Sequence, residues 1–580
     1  MAEHGASTHW VCSSGVRRVA ASWRAPSGPQ LEWTPIRAAR AIARRISRAL
    51  AIGFWACTLS AARGDALADF GVFDSPPDPC AAGEATIVSG SARFTVLTPA
   101  LLRLEWSESG AFEDRASLLV LNRRLPAPAL RSHRDGGWLE IDTEDLRLRY
   151  REGAPFSEDT LSITLRTPID GRDVTWRPGQ RDTGNLGGTA RSLDGCDGAT
   201  ALESGLLSRA GWVLIDDSSR AVFDALPAHA GGAVNEVVGA VWPTARPAGA
   251  LDWYFLGYGR DYPRALYDFT RVAGKVPMPP TWALGAWWSR YWRYSAEDFR
   301  ELLAEFRRHD VPLDVLVVDM DWHVAPAWSA YTWNRELFPD PAAFLDWAHD
   351  EGLHVTLNLH PGFDVEAFEA RYREFADALG VDPASTPKLK FEHGDPRFAA
   401  AYLRHLLHPL ERDGVDFWWL DFPPFWTQTA VDGVDALWWL NHLHWVDQQR
   451  RARATPKAVR PLILSRWGGL GSHRYPLGFS GDTRSTWASL AFQPHFTSTA
   501  GNVLQAWWSH DLGGHMPGPV DPELYVRWLQ FGALSPLMRT HATSSPQAER
   551  RIWAFDEQYF EAGRGAYRLR QELLPYIAAA

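Results

Sequence analysis

Three aspartates stand at the ends of short apolar runs, and they are the residues best placed to do chemistry. Leu313-Asp314-Val315-Leu316-Val317-Val318 leads into Asp319, with Asp321 two positions on. Val415-Asp416-Phe417-Trp418-Trp419-Leu420 leads into Asp421, and Ser480-Gly481 leads into Asp482. Runs without polar alternation read as strands buried on both faces, as parallel strands under helices are. An acid at the C-terminal end of such a strand stands at the mouth of an α/β barrel, where these barrels keep their chemistry. Two carboxylates in opposite protonation states are what cleavage of a glycosidic bond requires. Tryptophan, present 30 times, offers a flat amphipathic face that stacks on sugar C–H surfaces. Acids and indoles at one rim therefore point to a carbohydrate site, although most of the tryptophans, Trp322, Trp418 and Trp508 among them, are expected to pack in cores.

The elements that must position these acids follow from the periodicity. Ala283–Trp288 reads as a first strand, the Leu313 run as a second, and Leu353–His360 as a third. Val415–Asp421, Pro461–Arg466, Gly478–Asp482, Asn502–Asp511 and Phe531–His541 continue the series to eight. Phe299, Leu302, Leu303 and Phe306 fall at i, i+3, i+4 and i+7 behind a Ser295/Asp298 capping pattern, which predicts a helix after the first strand. Eight strand–helix alternations fit a (β/α)8 barrel. Upstream, Thr86–Val88, Arg93–Leu97, Leu102–Trp106, Leu139–Ile141 and Leu146–Tyr150 are short alternating runs separated by turn residues. They predict an antiparallel β-sandwich. A helix from Tyr262 to Val272, then Pro277, Pro279 and Pro280, joins the two parts.

The expected organisation is thus a leader over 1–69, an N-terminal β-sandwich domain over 70–275 and a catalytic barrel over 276–580. The leader combines Arg37, Arg40, Arg44, Arg45 and Arg48 with an apolar stretch from Ala49 to Ala62 and a small-residue cleavage pattern near Ala66-Leu67-Ala68. That is the layout of a secretory signal, too short to span a membrane. It predicts export to a periplasmic or extracellular compartment; a plain Arg/Ala-rich tail would leave a cytoplasmic protein. In an oxidising compartment Cys80 and Cys196 are candidates to pair. A net charge of −10 gives no basic footprint, which argues against a nucleic-acid partner. No Cys/His spacing matches a zinc site, and oligomeric state is not legible.

The chain resembles glycoside hydrolase family 31, the retaining α-glucosidases, α-xylosidases and α-galactosidases, from about Ile87 to Tyr576. The resemblance is carried by Pro280-Thr281-Trp282-Ala283-Leu284-Gly285, Asp319-Met320-Asp321-Trp322, Phe417-Trp418-Trp419-Leu420-Asp421, Gly481-Asp482-Thr483-Arg484-Ser485-Thr486-Trp487, Asp511-Leu512-Gly513-Gly514 and Pro536-Leu537-Met538-Arg539-Thr540-His541. It implies Asp421 as nucleophile and Asp482 as acid/base. It also implies that Asp319, Arg466 and His541 contact the sugar, with Trp419 as an aromatic wall and Asp511 in a supporting position. The implied activity is exo-acting hydrolysis of a terminal α-linked sugar on an oligosaccharide or glycoside, without metal or cofactor. A transglycosylase of the same family, or a non-catalytic carbohydrate-binding relative, is the alternative.

Four departures from the family pattern touch the wall that reads sugar hydroxyls. Asp421 is followed by Phe422-Pro423-Pro424-Phe425-Trp426, Phe479 stands where tryptophan is common, His360 joins the rim after the third strand, and Ser465–Tyr475 is a long loop. They leave α-glucoside, α-galactoside and N-acetylated α-sugar open as substrates. The family's further C-terminal β domains are expected to be absent after Ile577-Ala578-Ala579-Ala580.

Overall fold

The computed structural model describes residues 67–226, 231–324, 328–423, 433–454, 460–466, 468–516 and 521–579. The leader expected over 1–69 lies outside them except at its end. There Leu67 is buried and Asp69 pairs with Arg450 and Arg453, so the packed chain begins before residue 70. Residues 424–426 of the loop after Asp421, and Trp467 in the Ser465–Tyr475 loop, also lie outside the described residues.

Eight parallel strands form the barrel: Ala286–Trp288, Val315–Val318, His354–Leu359, Phe417–Leu420, Ile463–Ser465, Gly478–Phe479, Trp508–Ser509 and Met538–Arg539. Each pairs with the next in sequence through the seventh, and the eighth pairs with the first. The seventh and eighth meet just beyond their ends, through a parallel bridge between Leu512 and Thr540. The first strand is shorter than expected because Thr281–Leu284 winds into a 3-10 turn after Pro280, whose ring cannot donate to a ladder. The seventh is shorter because the preceding helix, Trp487–Gly501, ends only at its cap Asn502. The helix after the first strand spans Ala296–Arg308 and opens with the Ser295/Asp298 capping box.

Alternation along the strands sorts the side chains. Trp287, Val315, Val317, Phe417, Trp419, Leu464, Leu477 and Phe479 fill the barrel interior. Trp288, Leu316, Val318, Trp418, Leu420 and Ile463 point outward into the layer beneath the helices. Burying each large apolar side chain is worth roughly 1.5–3 kcal/mol, and both faces of these strands are buried. Trp322, Trp418 and Trp508 are buried as expected of packing residues.

Upstream of the barrel lie two five-stranded antiparallel sheets. One contains Thr86–Ser89, Ala92–Thr98, Leu101–Trp106, Leu251–Leu256 and Val213–Asp216; the other runs from Arg131–Asp135 to Thr175–Trp176. Phe94, Leu104 and Phe255 of the first share an apolar cluster with Leu139, Leu148 and Ile163 of the second. The Tyr262–Ala273 helix, capped by Asp261, follows as the joining segment. The expected Cys80–Cys196 pair does not form: Cys196 is a free thiol, whereas Cys80 is disulfide-bonded. The reason is that Cys196 sits on a loop pinned to the barrel rim, where Leu193 N–H donates to the Ser480 carbonyl and Arg484 N–H to the Cys196 carbonyl.

Candidate active site

The carboxylates converge because their strands end side by side. Asp421 follows the fourth strand, its N–H still in the ladder to the Leu359 carbonyl at 2.8 Å. Asp482 follows the sixth strand through Gly481, whose φ of +85° needs glycine. A side chain at Gly481 would also collide with Asp194 and Ser192. Asp319 follows the second strand and caps the short Met320–Trp322 turn, accepting the Met320 N–H at 2.8 Å.

Arg466, at the end of the fifth strand, organises the group. Its Nε donates to Asp421 Oδ1 at 2.5 Å and its Nη2 to Asp482 Oδ1 at 2.8 Å. One edge of a guanidinium, which ordinarily grips a single carboxylate with two parallel N–H groups, is therefore split between two aspartates. They are held side by side as a result. Nη1 pairs with Asp194, which arrives on the Leu193–Cys196 loop and also accepts the Asp482 N–H at 2.8 Å. Asp421 is further held by Asn358 Nδ2 at 3.1 Å, by the Phe422 N–H at 2.8 Å, and by His360 Nε2 at 3.4 Å.

These contacts separate the acids electrostatically. Burial alone would raise the Asp421 carboxyl, but Arg466, His360 and Asn358 outweigh it and hold the group well below the usual carboxylate range. Asp421 is thus a committed anion. Burial pushes Asp319 up to about 8 against its backbone hydrogen bond, and the nearby Asp421 charge adds to the rise. Burial lowers His360 to about 4 and carries His541 well below its ordinary value, with Arg539 adding to the latter, so both imidazoles are neutral. Asp482 is the more open of the two bridged acids, its side chain 20% exposed against 6% for Asp421.

The Asp319 shift has a checkable consequence. A folded pKa above the unfolded value contributes stability that is full below the unfolded pKa, about 3.9, and is lost as pH rises through about 8. Asp319→Asn mimics the neutral acid and does not titrate. The variant is expected to gain in melting temperature relative to the parent between about pH 4 and pH 9. Melting curves that stay parallel across that range would contradict a neutral Asp319.

The remaining expected residues also gather here. His541 Nε2 lies 3.8 Å from Asp319 Oδ2, and its Nδ1 meets Ser289 Oγ at 2.7 Å. Asp511 is fully buried and paired with Arg539. Trp419 and Phe479 meet edge-to-face at 5.5 Å, both buried, and Arg539 lies over each at 5.1 and 4.9 Å. They form a floor beneath the arginines. Asp321, two residues beyond Asp319, turns away toward Arg293 at 3.9 Å.

Sequence reading missed three residues. Asp194 gave no local signal, since it lies on a loop far upstream of the barrel. His515 directly follows Asp511-Leu512-Gly513-Gly514 and was visible there; its Nε2 is 3.6 Å from Asp482 Oδ2. Trp328 is exposed and faces His360 at 5.7 Å and Phe422 at 6.5 Å, which places an open aromatic cluster beside Asp421.

Comparison with known proteins places the barrel in a family. Residues 276–580 match the model of the glycosyl hydrolases family 31 TIM-barrel domain. The chain is 27% identical over 353 residues to an alpha-xylosidase of Saccharolobus solfataricus, covering 56% of this chain and 46% of that protein. It is 26% identical over 366 residues to alpha-glucosidase 2 of Bacillus thermoamyloliquefaciens, covering 57% and 44%. The chain thus spans less than half the length of these relatives. Among solved structures, a family 31 dextranase of Flavobacterium johnsoniae superposes with a TM-score of 0.63 at 21% identity, covering 84% of this chain and 66% of the other. An alpha-xylosidase of Xanthomonas citri gives 0.64 at 17%, covering 85% and 76%. These likenesses establish the fold, and the family model matches more than half of the chain, which therefore belongs to glycoside hydrolase family 31.

Proposed function

We propose that the protein is a retaining, exo-acting α-glycosidase that releases a terminal α-linked sugar through a covalent glycosyl-enzyme. The observation that carries this reading is the Arg466 guanidinium shared by Asp421 and Asp482 at the mouth of the barrel. Retention needs the two carboxyl groups about 5–5.5 Å apart, and a single split fork is a device for keeping them close. Asp421, ionised and aimed from the fourth strand, is the nucleophile. Asp482, the more open group, protonates the departing oxygen and then deprotonates the incoming water. Ester formation on Asp421 removes one of the charges that Arg466 balances. The guanidinium then acts more fully on Asp482, the group that serves as base in the second step. Asp319 and His541 hold hydroxyls of the bound sugar, and His360 lines the same side.

Asp194 tethers Arg466 and Asp482 from outside the barrel, and Asp194→Asn tests it. A charge-assisted bond is worth about 1.5–3 kcal/mol, and with Asp194 46% exposed the lower end applies. A fall of roughly tenfold in kcat/KM is expected, and unchanged kinetics would remove Asp194 from the machinery.

In this reading the two antiparallel sheets form a sandwich within an N-terminal domain, 70–275, that supplies the Asp194 loop to the barrel domain, 276–580. The arginine-rich leader over 1–69 exports the chain to a periplasmic or extracellular compartment. No described helix is long and apolar enough to cross a membrane. A transglycosylase is the second reading, favoured by the exposed Trp328–Phe422 cluster, which offers a sugar acceptor a stacking surface. A panel of p-nitrophenyl α-glucoside, α-galactoside, α-xyloside and N-acetylated α-glycosides names the sugar. A mechanism-based fluorosugar of that type, followed by peptide mapping, should label Asp421. Release from none of the panel, with no labelled peptide, would refute the assignment.

A further inference from the structure

Asp511, His515 and His541 each offer one ligand atom, and these atoms lie within 4.8 Å of one another. Their outer partners leave lone pairs free on the inner side. Arg539 takes Asp511 Oδ1. Asp511 Oδ2 and His515 Nδ1 face each other at 3.6 Å, and neither has a hydrogen-bond partner among the described residues. The Asp511 side chain is wholly buried, and an unsatisfied buried acceptor costs about 1–3 kcal/mol. A bound cation would remove that cost. His541 Nδ1–H donating to Ser289 Oγ leaves the Nε2 lone pair free to ligate, and the far nitrogen of His515 faces Asp482. Metal-binding side chains are oriented in this way, by a second partner on the atom that does not ligate.

We propose that these three residues form a site for a divalent cation of the zinc class, and that a cation there excludes the sugar. Two imidazoles and one carboxylate, with a fourth position open to water, suit Zn2+ rather than Ca2+ or Mg2+, which demand oxygen-rich shells. Asp482, 3.6 Å from His515, and Asp319, 3.8 Å from His541, border the cluster with further carboxyl oxygens, while Arg539 on the far oxygen of Asp511 opposes the cation's charge. The other acid–histidine cluster, His408 with Glu411 and Asp447, is different in kind. Arg451 pairs with both of its carboxylates, at 2.6 and 2.9 Å, and Trp418 Nε1 donates to Glu411 at 2.7 Å, so its charge is already met.

The exclusion of sugar rests on the α-glycosidase reading; the cation site does not. Zn2+ is titrated calorimetrically into the untagged full chain, and Co2+ binding is followed by visible absorption. The wild type is expected to bind one equivalent with a tetrahedral Co2+ spectrum. His515→Phe and His515→Gln are each expected to weaken binding by more than the roughly 10–100-fold that loss of an outer partner costs, while the metal-free melting temperature stays put in at least one of them. No stoichiometric binding in the wild type, or equal affinity in both variants, overturns the site. With an accepted glycoside, Zn2+ should inhibit competitively and a chelator should restore the rate; non-competitive inhibition overturns the exclusion. A chain that hydrolyses nothing would fail the glycosidase reading, and the titration would still judge the metal site.

Discussion

Asp421→Ala is expected to abolish glycoside hydrolysis, by roughly 10^4-fold or more in kcat, while added azide restores turnover and yields a glycosyl azide of opposite anomeric configuration. Both halves follow from the geometry. Alanine removes the carboxylate at the end of the fourth strand and opens a space bounded by Asn358, His360 and Arg466, three of the groups that now hold it. Azide, small and anionic, is matched to that space because Arg466 remains to attract it. It attacks from the nucleophile's side, displaces the leaving group once, and leaves the inverted product, whereas the two displacements of the parent retain configuration. Gas chromatography or NMR of the product decides the case. Retained configuration in the rescued product, or a parent-like rate without azide, would show that another group is the nucleophile.

The carboxylates were legible in the sequence because each ends a strand that carries no polar alternation, and such runs have one reading in a parallel barrel. Asp421 needed no more than that, whereas Asp319 had Asp321 two residues on as a rival and was singled out by the family motif. Asp482 was harder, since its strand is only Gly478–Phe479; the flanking motif of the family, rather than periodicity, marked it. The fate of Trp418 and Trp419 followed from strand geometry alone: adjacent residues face opposite sides, so one packs under helices and the other inside the barrel. What stayed invisible was contact between distant segments. Asp194 reaches the site by a loop whose position depends on Leu193 and Cys196 hydrogen-bonding to the sixth-strand turn, a pairing without sequence periodicity. The free Cys196 thiol belongs to the same blind spot. A pairing guess based on compartment could not foresee that the loop is committed to the barrel rim.

Arg466→Met should be the most damaging single change to the fold's active end, because one side chain balances three acids. Asp421, largely buried, would keep only Asn358, a backbone N–H and a neutral histidine. Removing one partner of a buried ion pair costs about 3–5 kcal/mol, so a clear drop in melting temperature at pH 7 is expected. The sign of the pH response is diagnostic. In the parent, Asp421 has a folded pKa below its unfolded value, so it contributes stability that is present above about pH 3.9 and lost as pH falls through the folded pKa. Without Arg466 the burial that raises Asp421 is no longer outweighed, and its folded pKa moves above the unfolded one. The contribution then reverses: the variant loses least in acid and most at neutral pH. Catalysis should fall about 10^2–10^3-fold, as Asp421 spends part of its time protonated and Asp482 loses its neighbour. Arg466→Lys is expected to repair little, since one ammonium on a flexible stem cannot serve Asp421, Asp482 and Asp194 from fixed directions. Thermal unfolding of parent and variant from pH 4 to pH 8 decides the matter. Equal losses at every pH would mean that Arg466 packs the rim without setting the charge of the nucleophile.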